Sequence, residues 1–201
     1  MRAFFYICIS GFTQTRGTFH GILKLREELL VAGHSSGTCS RVWYLPWTSD
    51  WGQVASDLSI VCNRYGFKPL VLIAGYSYGG WGAIQLAIAL MKVGIDVQDM
   101  ILSDAVARPW YWPRPLPALT SMLGRSWSFP MQIPPNVIRL HEYYQQEDRP
   151  QGHRLLFGEE TALQTSVKLW KIGGHQEMDD VLEFHECVLK QAKLMQDFGS
   201  S

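Results

Sequence analysis

Short runs of β-branched and aromatic residues alternate along the chain with longer segments whose apolar residues repeat with the period of an α-helix. Such runs favour strands, and strands that alternate with helices indicate a parallel sheet with crossover helices. The predicted strands are 3–9, 41–45, 70–74, 100–102, 137–140 and 166–170. The predicted helices are 19–31, 50–65 between the caps Asp50 and Gly66, 80–93 and 179–195. We therefore expect an α/β fold with a mostly parallel sheet.

Length and charge limit the classes of protein that the chain can represent. Its 201 residues suffice for one well-packed domain, and we expect a single domain spanning 1–201. The 18 Lys and Arg residues are scattered and are balanced by 18 Asp and Glu residues. A nucleic-acid partner requires a basic excess, so we expect none. No run reaches the roughly 20 uncharged apolar residues that cross a bilayer, so we expect no membrane span.

The cysteines give no sign of a disulfide framework or a metal site. Cys8, Cys39, Cys62 and Cys187 lie far apart and form no CxxC or Cys/His pattern with zinc-ligand spacing. The sequence therefore predicts free thiols, no metal, no cofactor and a reducing, cytoplasmic location. The apolar N-terminus lacks a signal-peptide cleavage site and is interpreted as the first core strand.

One motif stands where a buried strand is predicted to turn into a buried helix. It is Gly75-Tyr76-Ser77-Tyr78-Gly79, of the form G-x-S-x-G. A serine at the tip of such a sharp turn is held in a strained backbone conformation with its hydroxyl exposed above the sheet. The two glycines remove side chains that would collide across the turn. Ser77 is therefore the candidate nucleophile, and the following helix N-terminus favours negative charge beside it.

A serine hydroxyl needs a base to take its proton, and the base needs a carboxylate to orient it. His175 is the candidate base, because it lies in a glycine-rich loop between the last predicted strand and the last predicted helix. Two carboxylates qualify as its partner. Asp104 follows the first strand after the motif, and Asp148 follows the next strand. The remaining histidines have ordinary structural explanations within elements, at strand ends or in polar turns: His20, His34, His141, His153 and His185.

These residues resemble the α/β-hydrolase superfamily, whose nucleophile, acid and histidine follow the chain order of Ser77, Asp104 and His175. The segment 74–104 is similar to the thioesterase domains of fatty-acid, polyketide and nonribosomal-peptide synthases. Those domains keep their acid one strand after the nucleophile, which favours Asp104 over Asp148. The resemblance implies a compact three-layer α/β-hydrolase-like sandwich with a lid-like insertion.

The resemblance also implies a serine hydrolase that cleaves a carboxylic ester or thioester through an acyl-enzyme on Ser77. The substrate would be a small molecule or an acyl group on a carrier. The oxyanion would be held by the backbone N–H of Tyr78 and by a second N–H from Phe12 or Thr13. The loop 10–14 departs here from the HGGG motif of many relatives. An acyltransferase with the same acyl-enzyme and a catalytically silent binding protein remain as alternatives.

The segment 109–135 breaks the pattern of alternating strands and helices, because it holds seven of the ten prolines and three of the eight tryptophans. Regular structure is not expected there. Many related enzymes insert a lid at this place, so one hypothesis is that the segment covers an apolar acyl-binding cleft. The alternative is a loop that completes the core over the sheet edge. The candidate substrate-binding residues are Trp110, Trp112, Trp127 and Phe129.

Overall fold

A computed structural model describes residues 2–12, 14, 19–35, 40–107, 130–157, 164–170 and 174–199. Within these residues, eight strands and four α-helices follow one another along the chain. The strands are β1 (Arg2–Ile9), β2 (Ser40–Leu45), β3 (Lys68–Tyr76), β4 (Val97–Ser103), β5 (Met131–Ile133), β6 (Val137–Gln145), β7 (Leu155–Phe157) and β8 (Gln164–Trp170). The helices are α1 (Gly21–Ser35), α2 (Trp51–Tyr65), α3 (Tyr78–Lys92) and α4 (Leu182–Gly199).

Six of these strands form a parallel sheet in the order β2-β1-β3-β4-β6-β8. The chain runs outward from β1 to β2, then crosses back to β3 and continues in the opposite direction. The loops that follow β1 and β3 therefore leave the same edge of the sheet side by side. Such a switch in strand order is where open α/β sheets bind ligands. The loop after β1 and the G-x-S-x-G turn after β3 meet at this switch.

Helices cover both faces of the sheet, which gives three layers. On β1, Phe5 and Ile7 face the core formed with α2 and α3, whereas Phe4 and Tyr6 face the core formed with α1 and α4. The alternation follows from the two-residue repeat of a strand, and both sides are apolar because a parallel sheet is buried on both faces.

The helix caps of α2 follow the sequence prediction. The Asp50 carboxylate accepts a hydrogen bond from the Gln53 backbone N–H at 3.0 Å, and Gly66 ends the helix with a left-handed φ of 63°. Aspartate satisfies an otherwise unpaired N–H at the helix start, and glycine adopts positive φ without a steric penalty. Both caps are confirmed.

Several element bounds differ from the prediction, and the differences at β5, β6, β7 and α4 concern the surroundings of the site. β5 lies inside the segment that was expected to be irregular, and the short β7, paired with β5, was not predicted. β6 continues five residues beyond the predicted end at 140, because its later residues Tyr143 and Gln145 are buried. α4 begins at Leu182, after residues 175–180 form a 3-10 helix and a turn. Three-residue strands such as β5 and β7 are too short to leave a periodic signal.

Candidate active site

The G-x-S-x-G motif forms the turn between β3 and α3. Ser77 has φ 53° and ψ −122°, a conformation that non-glycine residues rarely adopt and that costs about 1–3 kcal/mol. A Cβ atom on Gly75 would lie 2.5 Å from the Gly79 carbonyl oxygen, and one on Gly79 would lie 2.2 Å from the Ile9 carbonyl oxygen. Neither contact is sterically possible. The two glycines therefore allow the sharp turn on which Ser77 stands.

Three side chains from separate parts of the chain form a continuous hydrogen-bonded series. The Ser77 Oγ lies 2.9 Å from His175 Nε2, and His175 Nδ1 lies 2.5 Å from Asp104 Oδ2. Ser77 and His175 are each 7% exposed and Asp104 is fully buried. A carboxylate only accepts hydrogen bonds, so Nδ1 carries a proton and donates a hydrogen bond to Asp104. In the neutral ring, Nε2 is then an acceptor for the Ser77 hydroxyl.

The Asp104 carboxylate is held by groups other than His175. Asp104 is the first residue after β4 and has a positive φ of 43°. Its Oδ1 accepts the Gly152 backbone N–H at 2.8 Å, and its Oδ2 accepts from the Gln145 side-chain Nε2 at 3.0 Å. Hydrogen bonds to a carboxylate fix its direction. Gln145 was not singled out in the sequence, where it reads as one polar residue before a polar turn.

Asp148, the alternative acid, lies next to this series without joining it. Its carboxylate accepts the Arg149 backbone N–H at 2.7 Å and lies so close to Gly174 that a Cβ there would be 2.6 Å from Asp148 Oδ2. Both ring nitrogens of His175 already have partners, namely Ser77 and Asp104. The structure therefore brings Asp104, and not Asp148, to the imidazole.

The segment that carries His175 lies in the predicted glycine-rich loop and is held in place by hydrogen bonds. His175 begins a 3-10 helix that ends at Glu177. The Tyr76 hydroxyl donates to the His175 backbone carbonyl at 2.7 Å, and the Ser103 hydroxyl donates to the Met178 carbonyl at 2.5 Å. Burial raises the pKa of Tyr76 well above its usual range, so its hydroxyl stays protonated and remains a donor. Two strand ends thus anchor the segment above the sheet.

Two backbone groups near Ser77 in the chain or in space are candidates for holding the oxyanion. Tyr78 is the first residue of α3, and the first N–H groups of a helix have no partner within it. The loop after β1 also comes close to Ser77, because a Cβ on Gly11 would lie 3.2 Å from the Ser77 Cβ. Phe12 is the next residue of that loop. Thr13, the other candidate, lies outside the described residues.

Three aromatic rings cluster beside Ser77. The centroids of Phe12 and Tyr78 are 5.6 Å apart, and the Trp47 ring lies 5.5 Å from the first and 5.4 Å from the second. The Trp47 indole N–H also donates to the Phe12 carbonyl at 3.3 Å. Phe12 is nevertheless 61% exposed. Trp47 was missed in the sequence, although the Pro46-Trp47 pair directly after a predicted strand end was a usable signal.

Three further sequence predictions concern the substrate-binding residues, a metal site and a membrane span. Trp110, Trp112, Trp127 and Phe129 lie outside the described residues, as does most of the segment 109–135. Within the described ranges, no group of three or more His, Cys, Asp or Glu side chains is placed to hold a metal ion. No helix among them is long and apolar enough to cross a membrane.

Comparison with known structures places the fold. The chain is similar to the RedJ thioesterase from the prodiginine biosynthetic pathway of Streptomyces coelicolor, with a TM-score of 0.51 at 12% identity over 94% of this chain and 85% of that one. The chain is also similar to human thioesterase 2, with a TM-score of 0.48 at 12% identity over 95% of this chain and 96% of that one. For an α/β-hydrolase superfamily protein from Enterococcus faecalis, the TM-score is 0.48 at 10% identity over 96% of this chain and 91% of that one. No protein-family model matches the chain, and no curated protein matches its sequence.

The chain has an α/β-hydrolase-like fold, with a parallel six-stranded sheet between two layers of helices. The expected α/β class with a mostly parallel sheet is confirmed, and so is the resemblance in fold to α/β hydrolases and thioesterases. The lid-like insertion lies mostly outside the described residues and stays a prediction. At 12% identity the likeness concerns the fold, and the chemistry has to be argued from the side chains.

Proposed function

We propose that the chain is a serine hydrolase that cleaves a carboxylic ester or thioester through an acyl-enzyme on Ser77. The observation that carries the proposal is the series Ser77 Oγ to His175 Nε2 at 2.9 Å and His175 Nδ1 to Asp104 Oδ2 at 2.5 Å. Nucleophile, base and orienting carboxylate are then all within hydrogen-bond reach, as acyl transfer through a serine requires. The strained φ of Ser77 adds support, because backbone strain concentrates at functional sites.

In the first half of the reaction, Ser77 Oγ attacks the carbonyl carbon while His175 Nε2 takes the hydroxyl proton. The positive charge that develops on His175 is stabilised by the buried Asp104 carboxylate. The negative charge that develops on the carbonyl oxygen is held by the N–H group of Tyr78 and by that of Phe12 or Thr13. Each such donor contributes about 10²- to 10³-fold in rate.

Collapse of the tetrahedral intermediate breaks the bond to the leaving group. His175 returns its proton to the departing alcohol or thiol, and the acyl group stays on Ser77. In the second half, His175 takes a proton from water, the hydroxide attacks the acyl carbonyl, and Ser77 leaves with the proton that His175 gives back. The acid and the resting enzyme are the products. An alcohol or amine in place of water would give acyl transfer.

A small ester or thioester, or an acyl group on a carrier, is the proposed substrate. The exposed ring of Phe12 and the partly exposed rings of Trp47 and Tyr78 offer an apolar surface beside the acyl position.

We place the chain in the cytoplasm, since Cys8, Cys62 and Cys187 are free thiols.

A fluorophosphonate probe tests the proposal directly. It forms a covalent adduct only with a serine whose proton a neighbouring base can take. We expect one adduct, mapped to Ser77 by mass spectrometry, and none in a folded His175→Ala variant. An unlabelled wild-type protein with a cooperative thermal unfolding transition would favour the catalytically silent binding protein. Product analysis with water and with added alcohols or amines then separates hydrolysis from acyl transfer.

A further inference from the structure

The loop that follows β1 is closed by two reciprocal hydrogen bonds between Gly11 and Gln14. The Gln14 backbone N–H donates to the Gly11 carbonyl at 3.2 Å. The Gly11 N–H donates to the Gln14 side-chain oxygen Oε1 at 2.9 Å. The Gly11 N–H is therefore used inside the turn. The next N–H along the loop is that of Phe12, one of the two candidates for the second oxyanion donor.

A distant carboxylate determines which way the Gln14 amide points. The Gln14 Nε2 donates to Asp179 Oδ2 at 2.5 Å. A carboxylate can only accept, so the amide must turn its NH₂ group to Asp179 and its oxygen to Gly11. The reverse orientation would set two oxygens against each other and two donors against each other. The Asp179 carboxylate thus orients the amide that closes the turn.

Asp179 is itself held in one place. It is buried, and the backbone N–H groups of Gly21 and Ile22 at the start of α1 interact with its carboxylate and lower its pKa. α1 has no acidic residue in its own first turn, so Asp179 caps the helix from a distant part of the chain. Burial raises the pKa of the Asp179 carboxyl, while the hydrogen bonds from Gln14 and from these two N–H groups oppose that change.

The same short segment carries the proposed base. Asp179 comes shortly after His175, and the intervening backbone is anchored by the hydrogen bonds from Tyr76 and Ser103 to the carbonyls of His175 and Met178. Residues 175–179 therefore hold the imidazole at one end and the Gln14 amide at the other. The position of the loop after β1 is tied to the position of the base.

We propose that Gln14 and Asp179 are positioning residues for oxyanion binding: Asp179 holds the Gln14 amide, which holds the Gly11–Gln14 turn so that the Phe12 N–H faces the acyl oxygen on Ser77. This inference rests on the proposed serine hydrolase function. The pair touches no reacting atom. It acts through the backbone of the turn.

The first test separates transition-state stabilisation from a loss of structure. A thionoester carries sulfur in place of the carbonyl oxygen, and sulfur is a larger and weaker acceptor, so its cleavage depends less on oxyanion donors. For Gln14→Ala we expect kcat on a p-nitrophenyl ester to fall about 10²-fold with KM nearly unchanged, and the rate on the matching thionoester to fall only about threefold. Equal losses on both substrates would overturn the proposal.

The second test exchanges the two partners. Gln14→Glu places two carboxylates face to face, so we expect at least the loss of Gln14→Ala. In the double variant Gln14→Glu/Asp179→Asn, the new amide donates to the new carboxylate, which still accepts the Gly11 N–H. We expect kcat to return to within about tenfold of wild type. A folded double variant no more active than Gln14→Glu would overturn the proposal.

A matched exchange elsewhere controls for the chemistry of the swap. Gln53 Nε2 donates to Asp57 Oδ1 at 2.7 Å on the exposed side of α2, far along the chain from the site. Gln53→Glu and Gln53→Glu/Asp57→Asn should both keep wild-type kcat. Thermal unfolding is measured for every variant, and Gln14 is only partly buried, so Gln14→Ala is expected to fold. Absence of Ser77 labelling in wild type refutes the hydrolase itself, whereas an active wild type without the substrate split refutes only the positioning role.

Discussion

Two sets of serine, histidine and aspartate side chains lie on the same sheet, and they differ in almost everything except residue type. The first is Ser77, His175 and Asp104 at the carboxyl ends of the strands. In the second, His141 Nδ1 lies 2.6 Å from Ser166 Oγ, and His141 Nε2 lies 3.7 Å from the Asp99 carboxylate. The second set lies within β4, β6 and β8, where regular strand backbone carries every member.

The charges around His141 prevent this residue from working as a base. Arg139 donates twice to Asp99, at 2.7 and 2.6 Å, so that carboxylate is already engaged. Burial by itself would lower the pKa of His141, but Asp99 and Cys187 beside it outweigh this and raise its pKa to about 9. His141 is then protonated at neutral pH and donates to Ser166. A protonated imidazole cannot take a serine proton.

The comparison teaches that the residue types alone do not make a site of this kind. Ser77 also has a strained turn, a helix N-terminus behind it and a second loop within reach, whereas Ser166 stands on an exposed strand. Only the first set therefore combines the features that the proposed acyl transfer requires.

Removing the two serine hydroxyls should produce the widest difference. Ser77→Ala is expected to lower kcat/KM for a short ester on the order of 10⁴- to 10⁶-fold, because the nucleophile is lost. Ser166→Ala should leave it unchanged, because His141 cannot act as a base there. Steady-state kinetics with both purified variants measures this, and comparable losses in the two would refute the distinction.

The two aspartates should separate activity from stability. Asp104→Asn is expected to lower kcat about 10⁴-fold, because the amide no longer holds the required tautomer of His175. Asp99→Asn should change kcat little but lower the free energy of unfolding by about 2–3 kcal/mol, because Arg139 loses its buried partner. Kinetics and urea unfolding are run on both. Asp148→Asn is the control for the acid, and a larger kcat loss there than in Asp104→Asn would reverse the assignment.

Gln145 tests how much of the difference lies in the support of Asp104. Its Nε2 also donates to the backbone carbonyls of Asp148 and Pro150, and its Oε1 accepts the Asp148 N–H at 2.7 Å. Gln145→Leu should lower kcat roughly tenfold and the free energy of unfolding by about 1–3 kcal/mol, because buried polar groups lose their partner. The exposed neighbour provides the control variant Gln146→Leu, which should change neither quantity. A full-rate Gln145→Leu enzyme would show that Gly152 and His175 hold Asp104 unaided.

The smallest effect concerns the pH dependence of the second set. The folded pKa of His141 lies above its unfolded value of about 6.5, so its stabilising contribution is fully present below that pH and is lost as the pH rises through about 9. After allowance for solvent screening, the free energy of unfolding of wild type should exceed that of His141→Asn by about 1–2 kcal/mol at the low end of this pH window. Above the window the two values should differ little. Urea unfolding across the window measures the difference. A constant difference would mean that His141 stabilises by packing.

The elements with strong periodicity were predictable, and the reason is local. β1 and β3 are apolar on both faces, and α2 carries its own caps, so neighbouring residues determine these elements. The G-x-S-x-G turn was visible for the same reason, since Gly75, Ser77 and Gly79 are contiguous. The short strands β5 and β7 were not predictable, because each exists through its pairing with the other.

The acid could not be chosen from residue positions alone. Asp104 and Asp148 follow neighbouring strands of a parallel sheet, and both therefore lie at the same edge. Only the resemblance favoured Asp104. In the structure, Gln145 and Gly152 orient the Asp104 carboxylate, while the backbone of Arg149 engages the carboxylate of Asp148.

The amino-acid sequence by itself determined the alternating order of strands and helices and the turn that presents Ser77, because both depend on residues that are close along the chain. Only the tertiary structure decided that Asp104 reaches His175, that Ser166 and His141 form a second and differently charged set, and that Gln14 meets Asp179. Each of these contacts joins residues that are distant in sequence, so their geometry depends on how the fold brings separate strands and loops together.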